Sequence, residues 1–251
     1  MEEYKKRFSK ILAQTGALFF EKGLRLKDGR PTPYFVNMGM FNSGRWAKRL
    51  GELFSDLIYE IGLIDKIDIV LGPSYKGSAL ALVTSISLYE KYGKECLFEY
   101  DRKEEKLHGE GSEDRRYFVN NTFFDGANLF IVDDVITTMK TKYELIDKIR
   151  AESQRRKINL NIIGLGIAID REQTTAVYDS DGNVILNKKG EDPVDSFIND
   201  TNIPIYSICG IREVIEYLFR EKIPILIDGI RRPMDIKIKE EFDTYMDTYG
   251  R

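Results

Sequence analysis

The run Leu129-Phe130-Ile131-Val132 leads straight into two adjacent carboxylates, Asp133-Asp134, and then into Val135-Ile136-Thr137-Thr138. An uninterrupted apolar run of this length reads as a strand buried on both faces, as strands of a parallel sheet are. Such a sheet carries helices on its faces, and its ligands bind outside the carboxyl ends of the strands. Asp133 and Asp134 are therefore expected at a strand end, on the binding edge. The next turn leads into a helix N-terminus, a natural anion site. Carboxylates suited to sugar hydroxyls or a metal thus stand beside amides suited to a phosphate, and a ribose phosphate satisfies both. Taken alone, the pair also fits solvated turn residues or a helix cap, because Asp is a common N-cap.

The rest of the chain alternates in the same manner. Tyr4, Phe8, Ile11, Leu12, Leu18 and Phe19 fit an amphipathic first helix. A turn-rich stretch, Asp28-Gly29-Arg30-Pro31-Thr32-Pro33, precedes the extended Tyr34-Phe35-Val36. A second helix fits Ala47, Leu50, Leu53, Phe54, Leu57, Ile58 and Ile61. Strands are expected at 68–71, 96–98, 160–169 and 203–208, and helices at 78–92, about 140–152, from Ile211 to Leu218, and around Phe242 to Tyr249. Val177 to Leu186, with Asp179-Ser180-Asp181-Gly182-Asn183 at its centre, reads as an inserted surface hairpin. The expectation is an α/β fold with a mostly parallel, helix-covered sheet.

Composition narrows the function classes. The 251 residues carry a formal net charge of −3, which gives no global attraction to nucleic acid or to an anionic membrane. Any phosphate must then be held by local cations. No stretch approaches the roughly 20 apolar residues of a membrane span, and no apolar leader follows the charged first residues. The two cysteines, Cys96 and Cys209, lie in apolar stretches and are expected as buried free thiols. A reducing compartment, and so the cytoplasm, is the expected location.

Two further segments lend the acidic pair meaning. Gly72-Pro73-Ser74-Tyr75-Lys76-Gly77 follows a strand and offers glycines for close backbone approach with a lysine for charge. It lacks the spacing of a Walker A loop, and alone it would be an ordinary turn. Asp101 to Ser112 is nearly all charged or Gly and holds the only histidine, His108, among basic residues. A charge run is usually a solvated face, but this one has the character of a lid that carries cations to an anionic ligand.

Together these motifs resemble the orotate phosphoribosyltransferase family. The resemblance rests on Arg102-Lys103-Glu104 through Lys106, His108-Gly109-Glu110-Gly111 and Asp133-Asp134-Val135-Ile136-Thr137. It rests also on Leu26-Lys27-Asp28-Gly29-Arg30 with Pro33-Tyr34-Phe35 and Asn37, on Gly72-Pro73 with Tyr75-Lys76-Gly77, and on Asp170-Arg171-Glu172. It implies the type I phosphoribosyltransferase fold in a single domain over 1–251. The hood would lie mainly in 1–45 plus the C-terminal segment, the core in about 46–220, and a hairpin insertion at about 175–190. The implied reaction transfers ribose 5-phosphate from phosphoribosyl diphosphate (PRPP) to orotate, giving orotidine 5′-phosphate and diphosphate in pyrimidine synthesis.

By the same resemblance Lys103, Lys106 and His108 are catalytic. PRPP is held by Lys27, Tyr75, Lys76, Arg102, Lys103, Lys106 and His108. Asp133 and Asp134 take the ribose hydroxyls, with Val135 and Ile136 beside them, and Thr137, Thr138, Met139, Lys140 and Thr141 form the 5′-phosphate cradle. Phe35, Val36, Thr137 and Arg171 face orotate. Mg²⁺ is held chiefly through PRPP, with no metal site in the protein itself, and a homodimer shares the lid between subunits. The chain departs from the family pattern at Thr138-Met139-Lys140-Thr141, where a small residue, then Gly and Thr, is usual, and at Ser112, where a second Gly is usual.

Two other readings make different demands. A PRPP-binding regulator is expected to bring a DNA-binding domain and a lid stripped of its cations, yet the lid cations are present. An enzyme for another base needs a different hood, against which Lys27 and Tyr34-Phe35 argue. The motifs and final helices use the length, so no decarboxylase domain is expected within these residues.

Overall fold

A computed structural model describes residues 1–104, 117–136 and 139–251 of the chain. Lys106, His108, Thr137 and Thr138 lie outside the described residues. The chain opens with helix α1 (Glu3–Thr15), which ends on Gly16 in the left-handed region at φ +71°. That stop corrects the expected long first helix. Leu18 and Phe19 belong to strand β1 (Leu18–Phe20), because a left-handed C-terminal residue turns the chain out of the helix. Strand β2 (Tyr34–Val36) pairs antiparallel with β1. Helix α2 (Gly44–Glu60) is capped by Ser43, whose hydroxyl accepts the amide of Trp46 at 3.4 Å.

The alternation then begins: β3 (Ile69–Gly72), α3 (Lys76–Tyr92), β4 (Leu97–Tyr100), β5 (Ala127–Val135), α4 (Lys140–Arg156), β6 (Leu160–Asp170), α5 (Pro193–Thr201), β7 (Ile205–Gly210) and α6 (Ile211–Arg220). The five strands form one sheet in the order β4-β3-β5-β6-β7, parallel throughout. The apolar run of β5 serves both faces. Phe130 and Val132 join the core beneath α1, α2 and α6, while Leu129 and Ile131 join the core beneath α4 and α5. Phe130 lies flat on β6, where a Cβ on Gly166 would come within 2.7 Å of its ring. Of the two cysteines, both free, Cys209 is buried as expected but Cys96 is only partly so.

The remaining strands, β8 (Ile225–Ile227) and β9 (Ile230–Arg232), turn on Asp228-Gly229, both at positive φ. They join β1 and β2 in a second sheet, order β2-β1-β8-β9, with β1 and β8 parallel. Helix α7 (Ile236–Tyr249) covers it: Phe242 meets the rings of Phe20 and Tyr34 at 6.4 and 5.4 Å. Residues 177–186 form no strands; a single Tyr178–Val184 bridge closes them, and Asn187 is tied to the Tyr249 hydroxyl at 3.0 Å. None of the described helices is long and apolar enough to cross a membrane.

The entry into α3 depends on two glycines. A Cβ on Gly72 would lie 1.9 Å from the Gly77 carbonyl oxygen, and a Cβ on Gly77 would lie 2.4 Å from the Pro73 ring. The end of β3 and the first turn of α3 can touch only because neither residue has a side chain. Gly72→Ala is accordingly expected to destabilise the fold by about 3 kcal/mol, at the upper end of the usual cost of overpacking. An unchanged urea midpoint would contradict this packing.

Candidate functional site

In an open parallel sheet the binding crevice forms where the strand order reverses. Here the chain runs from β3 outward to β4, then returns to the other side of β3 for β5. The switch point lies between the carboxyl ends of β3 and β5, and the two strands deliver charged side chains there. Lys76, at the start of α3, reaches Asp134 at the end of β5, with Nζ and Oδ2 at 2.8 Å. Asp134 also accepts the amide of Val135 at 2.8 Å.

Asp133 is held differently. Its side chain turns inward and is only 7% exposed, against Lys142, which is 4% exposed. Lys142 Nζ lies 2.6 Å from Asp133 Oδ2 and donates to the Val135 carbonyl at 3.2 Å. Asp133 Oδ1 accepts the amide of Asp134 at 2.8 Å. Burial pushes the Asp133 carboxyl above its ordinary range, the Lys142 charge opposes that, and the neighbouring Asp134 adds to it. Lys142 was not among the sequence candidates. A signal existed: it shares the inward face of α4 with Leu145, Ile146 and Ile149, where a lysine needs a partner.

A second buried carboxylate organises the loop after β3. Asp101 accepts the Ser74 amide at 2.6 Å and the Lys148 ammonium at 2.5 Å, and its carbonyl accepts the Ser74 hydroxyl. Lys148 also donates to the Arg102 carbonyl at 2.6 Å. Helix α4 therefore grips the first residues of the expected lid. The Ser74–Tyr75 peptide is cis. Tyr75 is 79% exposed, and the Lys103 ammonium stands 5.4 Å from its ring centroid. These cations and the loop surround a cavity of about 700 Å³ lined by Ser74, Tyr75, Asp101, Arg102 and Lys103.

The next strand supplies a third feature. Ile169 of β6 stands opposite Val135 of β5, so Arg171 emerges at the same sheet edge as the acidic pair. Arg171 is 9% exposed, and among the described residues its Nε and Nη2 have no hydrogen-bond partner. Its guanidinium carbon lies 5.3 Å from the ring centroid of Tyr34, itself fully buried. Gln173 donates to the hydroxyls of Tyr34 and Tyr245 at 3.0 and 2.8 Å, joining β2 to α7 behind this arginine. Tyr34 belongs to the motif that carries the resemblance but was given no role at the site, and Gln173 was not among the sequence candidates. Phe35 and Val36 emerge on opposite faces of β2: Val36 is in the core, and Phe35 pairs with Phe19 at 5.8 Å. Lys27 is exposed on the turn between Leu26 and Arg30.

In the loop after the acidic pair, Ile136 is buried and Thr141 exposed. Lys140 points into solvent, its side chain 81% exposed, with Glu144 at 4.0 Å. Met139 takes the left-handed conformation, φ +59° and ψ −3°, as the N-cap of α4, with its side chain in the core beneath α4. Glycine takes this conformation freely and an L-residue does not, yet methionine adopts it here. Left-handed backbone costs an L-residue about 1–2 kcal/mol, whereas deleting a buried methionine side chain costs about 2–5 kcal/mol. Burial wins, so Met139→Gly is expected to lower stability by about 1–3 kcal/mol. Chemical denaturation showing a more stable Met139→Gly protein would reverse that ranking.

Comparison with known proteins bears on this edge of the sheet. No family model matches the chain. Orotate phosphoribosyltransferase of Bifidobacterium adolescentis is 34% identical over 248 residues, 97% of this chain and 96% of that protein. The enzyme of the same name from Agathobacter rectalis is 32% identical over 250 residues, 100% of this chain and 99% of that protein. In structure, the orotate phosphoribosyltransferase of Francisella tularensis superposes with a TM-score of 0.72 at 26% identity, covering 98% of this chain and all of that one. The α/β architecture is the type I phosphoribosyltransferase fold, and the chain belongs to the orotate phosphoribosyltransferase family.

Proposed function

We propose that the protein transfers ribose 5-phosphate from PRPP to orotate, releasing diphosphate and orotidine 5′-phosphate in pyrimidine synthesis. The observation that carries the choice of base is Arg171: a buried guanidinium with two nitrogens, Nε and Nη2, unpartnered among the described residues, at the edge that holds the acidic pair. Guanidinium matches a planar carboxylate in two parallel hydrogen bonds, and orotate is a carboxylated base.

In the reaction N1 of orotate gives up its proton to solvent and bonds to C1′ of the ribose as the C1′–O bond breaks, and the diphosphate leaves with the electron pair. No side-chain nucleophile is required. The protein contributes orientation and a field that favours negative charge on the leaving group. Asp133 and Asp134 accept the ribose hydroxyls. Lys76 and Arg102 flank the diphosphate with Lys103, and Lys106 and His108 join them from the lid. Lys76 holds Asp134 at 2.8 Å; an arriving diphosphate competes for that ammonium and releases the carboxylate to a hydroxyl. The 5′-phosphate takes the segment from Thr137 to Thr141. Phe35 and the β2 backbone at Val36 border the base, with Lys27 and Tyr75 at the rim.

Among the described residues, no group of three or more His, Cys, Asp or Glu side chains could hold a metal ion, and both site carboxylates already face lysines. Mg²⁺ would enter with PRPP as its counter-ion and would add neutralising charge to the leaving group. The small sheet with α7 is the hood in this reading, the parallel sheet is the core, and residues 175–190 are an insertion. The cytoplasm, where the substrates of nucleotide synthesis are made, is the proposed location.

A homodimer with a shared lid completes the proposal. Ala79, Leu82, Ile86 and Tyr89 form an exposed apolar stripe along α3, at helical spacing, with Leu97 exposed on the edge strand beside it. A stripe of this kind is self-complementary across a two-fold axis.

Incubation with PRPP, Mg²⁺ and orotate should consume orotate, seen as falling absorbance; well-folded protein without turnover would refute the assignment. Arg171→Met should raise the orotate KM by roughly 10–100-fold, the loss of a charge-assisted contact, while the PRPP KM stays within about twofold. Ile86→Lys should give a monomer in sedimentation velocity with little activity. A fully active monomer would exclude the shared lid.

A further inference from the structure

Nothing in the proposed reaction calls for the lysine behind the acidic pair. The inward face of α4 runs Lys142, Leu145, Ile146, Ile149 and Glu152, all buried; its middle is apolar, and Glu152 at the far end pairs with Arg155 of its own helix. A leucine or methionine at 142 would suit the helix equally well, and replacing a buried ion pair by apolar side chains is often neutral or stabilising. Stability alone therefore does not explain the lysine.

We propose that Lys142 is a positioning residue for the reaction: through its buried ion pair it holds the Asp133 carboxylate as an oriented acceptor for a ribose hydroxyl of PRPP. The inference rests on Asp133 being a ribose-binding carboxylate. Each Asp133 oxygen has one fixed partner, Oδ2 the Lys142 ammonium at 2.6 Å and Oδ1 the Asp134 amide at 2.8 Å. The plane of the carboxylate is thereby set, and each oxygen keeps a lone pair for a hydroxyl. The third contact, Lys142 to the Val135 carbonyl at 3.2 Å, fixes the ammonium itself to the strand end.

Charge state follows from the same contacts. The groups that face Asp133 are Lys142 from α4 and Asp134 from its own strand, with Lys76 of α3 reaching Asp134. On β6 its register partner is Ile167, which brings no charge. Burial and Asp134 both favour a protonated Asp133, and Lys142 is the cation paired with it. Without Lys142 the carboxyl gains a proton at higher pH than before, and a protonated carboxyl makes a weaker acceptor.

The test is a PRPP titration of turnover in wild type, Lys142→Met, Asp133→Asn and the double variant. Asp133→Asn should raise the PRPP KM by roughly 10–100-fold, as for a lost charge-assisted hydrogen bond; an unchanged PRPP KM would show that the ribose reading itself is at fault. Lys142→Met should raise the PRPP KM by roughly tenfold near pH 7, with the orotate KM within about twofold, and the defect should shrink as the pH is raised and Asp133 ionises. A pH-independent defect that affects both substrates alike would mark a purely structural role and overturn the proposal. If Lys142→Met does not fold, the double variant decides: in the Asp133→Asn background, loss of Lys142 should add less than about twofold to the PRPP KM. A further tenfold there would mean that Lys142 does not act through Asp133.

Discussion

The ion pair between Asp133 and Lys142 is the contact around which the site is arranged. Two charges, both more than nine-tenths out of water, meet at 2.6 Å where the central strand ends and the next helix begins. Buried pairs of this kind add little net stability; well-packed apolar replacements often gain about 1–4 kcal/mol, while removing one partner alone costs about 3–5 kcal/mol. What the pair does give is a fixed geometry. The end of β5 is tied to the first turn of α4, and Asp133 cannot rotate without leaving an ammonium unpaired. Asp134, one residue on, faces the opposite way and is held by the more exposed Lys76. One carboxylate is locked and the other is exchangeable, a division that suits a sugar whose arrival also brings a diphosphate.

The topology explains why these groups converge. Because β4 and β5 lie on opposite sides of β3, the loops after β3 and β5 splay apart and leave a crevice. Gly72 and Gly77 let α3 begin against the strand end, which sets Lys76 at the crevice mouth. Helix α4 reaches across with two lysines. Lys142 serves the acidic pair, and Lys148 holds Asp101 and through it Ser74 of the neighbouring loop. The acidic pair and the loop after β3 thus hang on one helix, which fixes their relative positions. That rigidity is what a reaction driven by orientation and preorganised charge requires.

Local patterning made the core legible and left the hood obscure. Strands β3, β5, β6 and β7 are apolar runs buried by their own helices, so each announces itself in sequence. Strand β1 has three residues and pairs with β8, some two hundred residues away, so no local period marks it. Strands β8 and β9 do carry a signal, Asp228-Gly229 directly after the apolar Ile225-Leu226-Ile227, a dipeptide suited to a tight hairpin turn. Helix α5 was missed despite Asp192-Pro193, a capping residue followed by proline at the first turn. In the site, the acidic pair and its strand end were legible because they are contiguous. The roles of Lys142, Tyr34 and Gln173 were not, because they arise from contacts between elements. At Met139 backbone preference and burial pull in opposite directions, and burial outweighs the strain.

Arg171 shows how such contacts between elements produce selectivity. Its guanidinium lies against the Tyr34 ring, and Gln173 pins that ring to Tyr245 of the last helix, so the arginine is supported by the hood and anchored by the core. The ring contact leaves Nε and Nη2 without a hydrogen-bond partner among the described residues. A buried donor without an acceptor is unfavourable by about 1–3 kcal/mol, more when charged. A carboxylated base removes that deficit on binding, whereas a base without the carboxylate buries the arginine more deeply and leaves it unpaired. Sites built to satisfy a polar group of the substrate reject analogues that lack it far more strongly than apolar pockets reject a missing methylene. In the proposed reading, discrimination between orotate and other bases therefore resides in an unsatisfied arginine held at the junction of the two sheets, while the ribose phosphate is recognised by groups that belong to the parallel sheet alone.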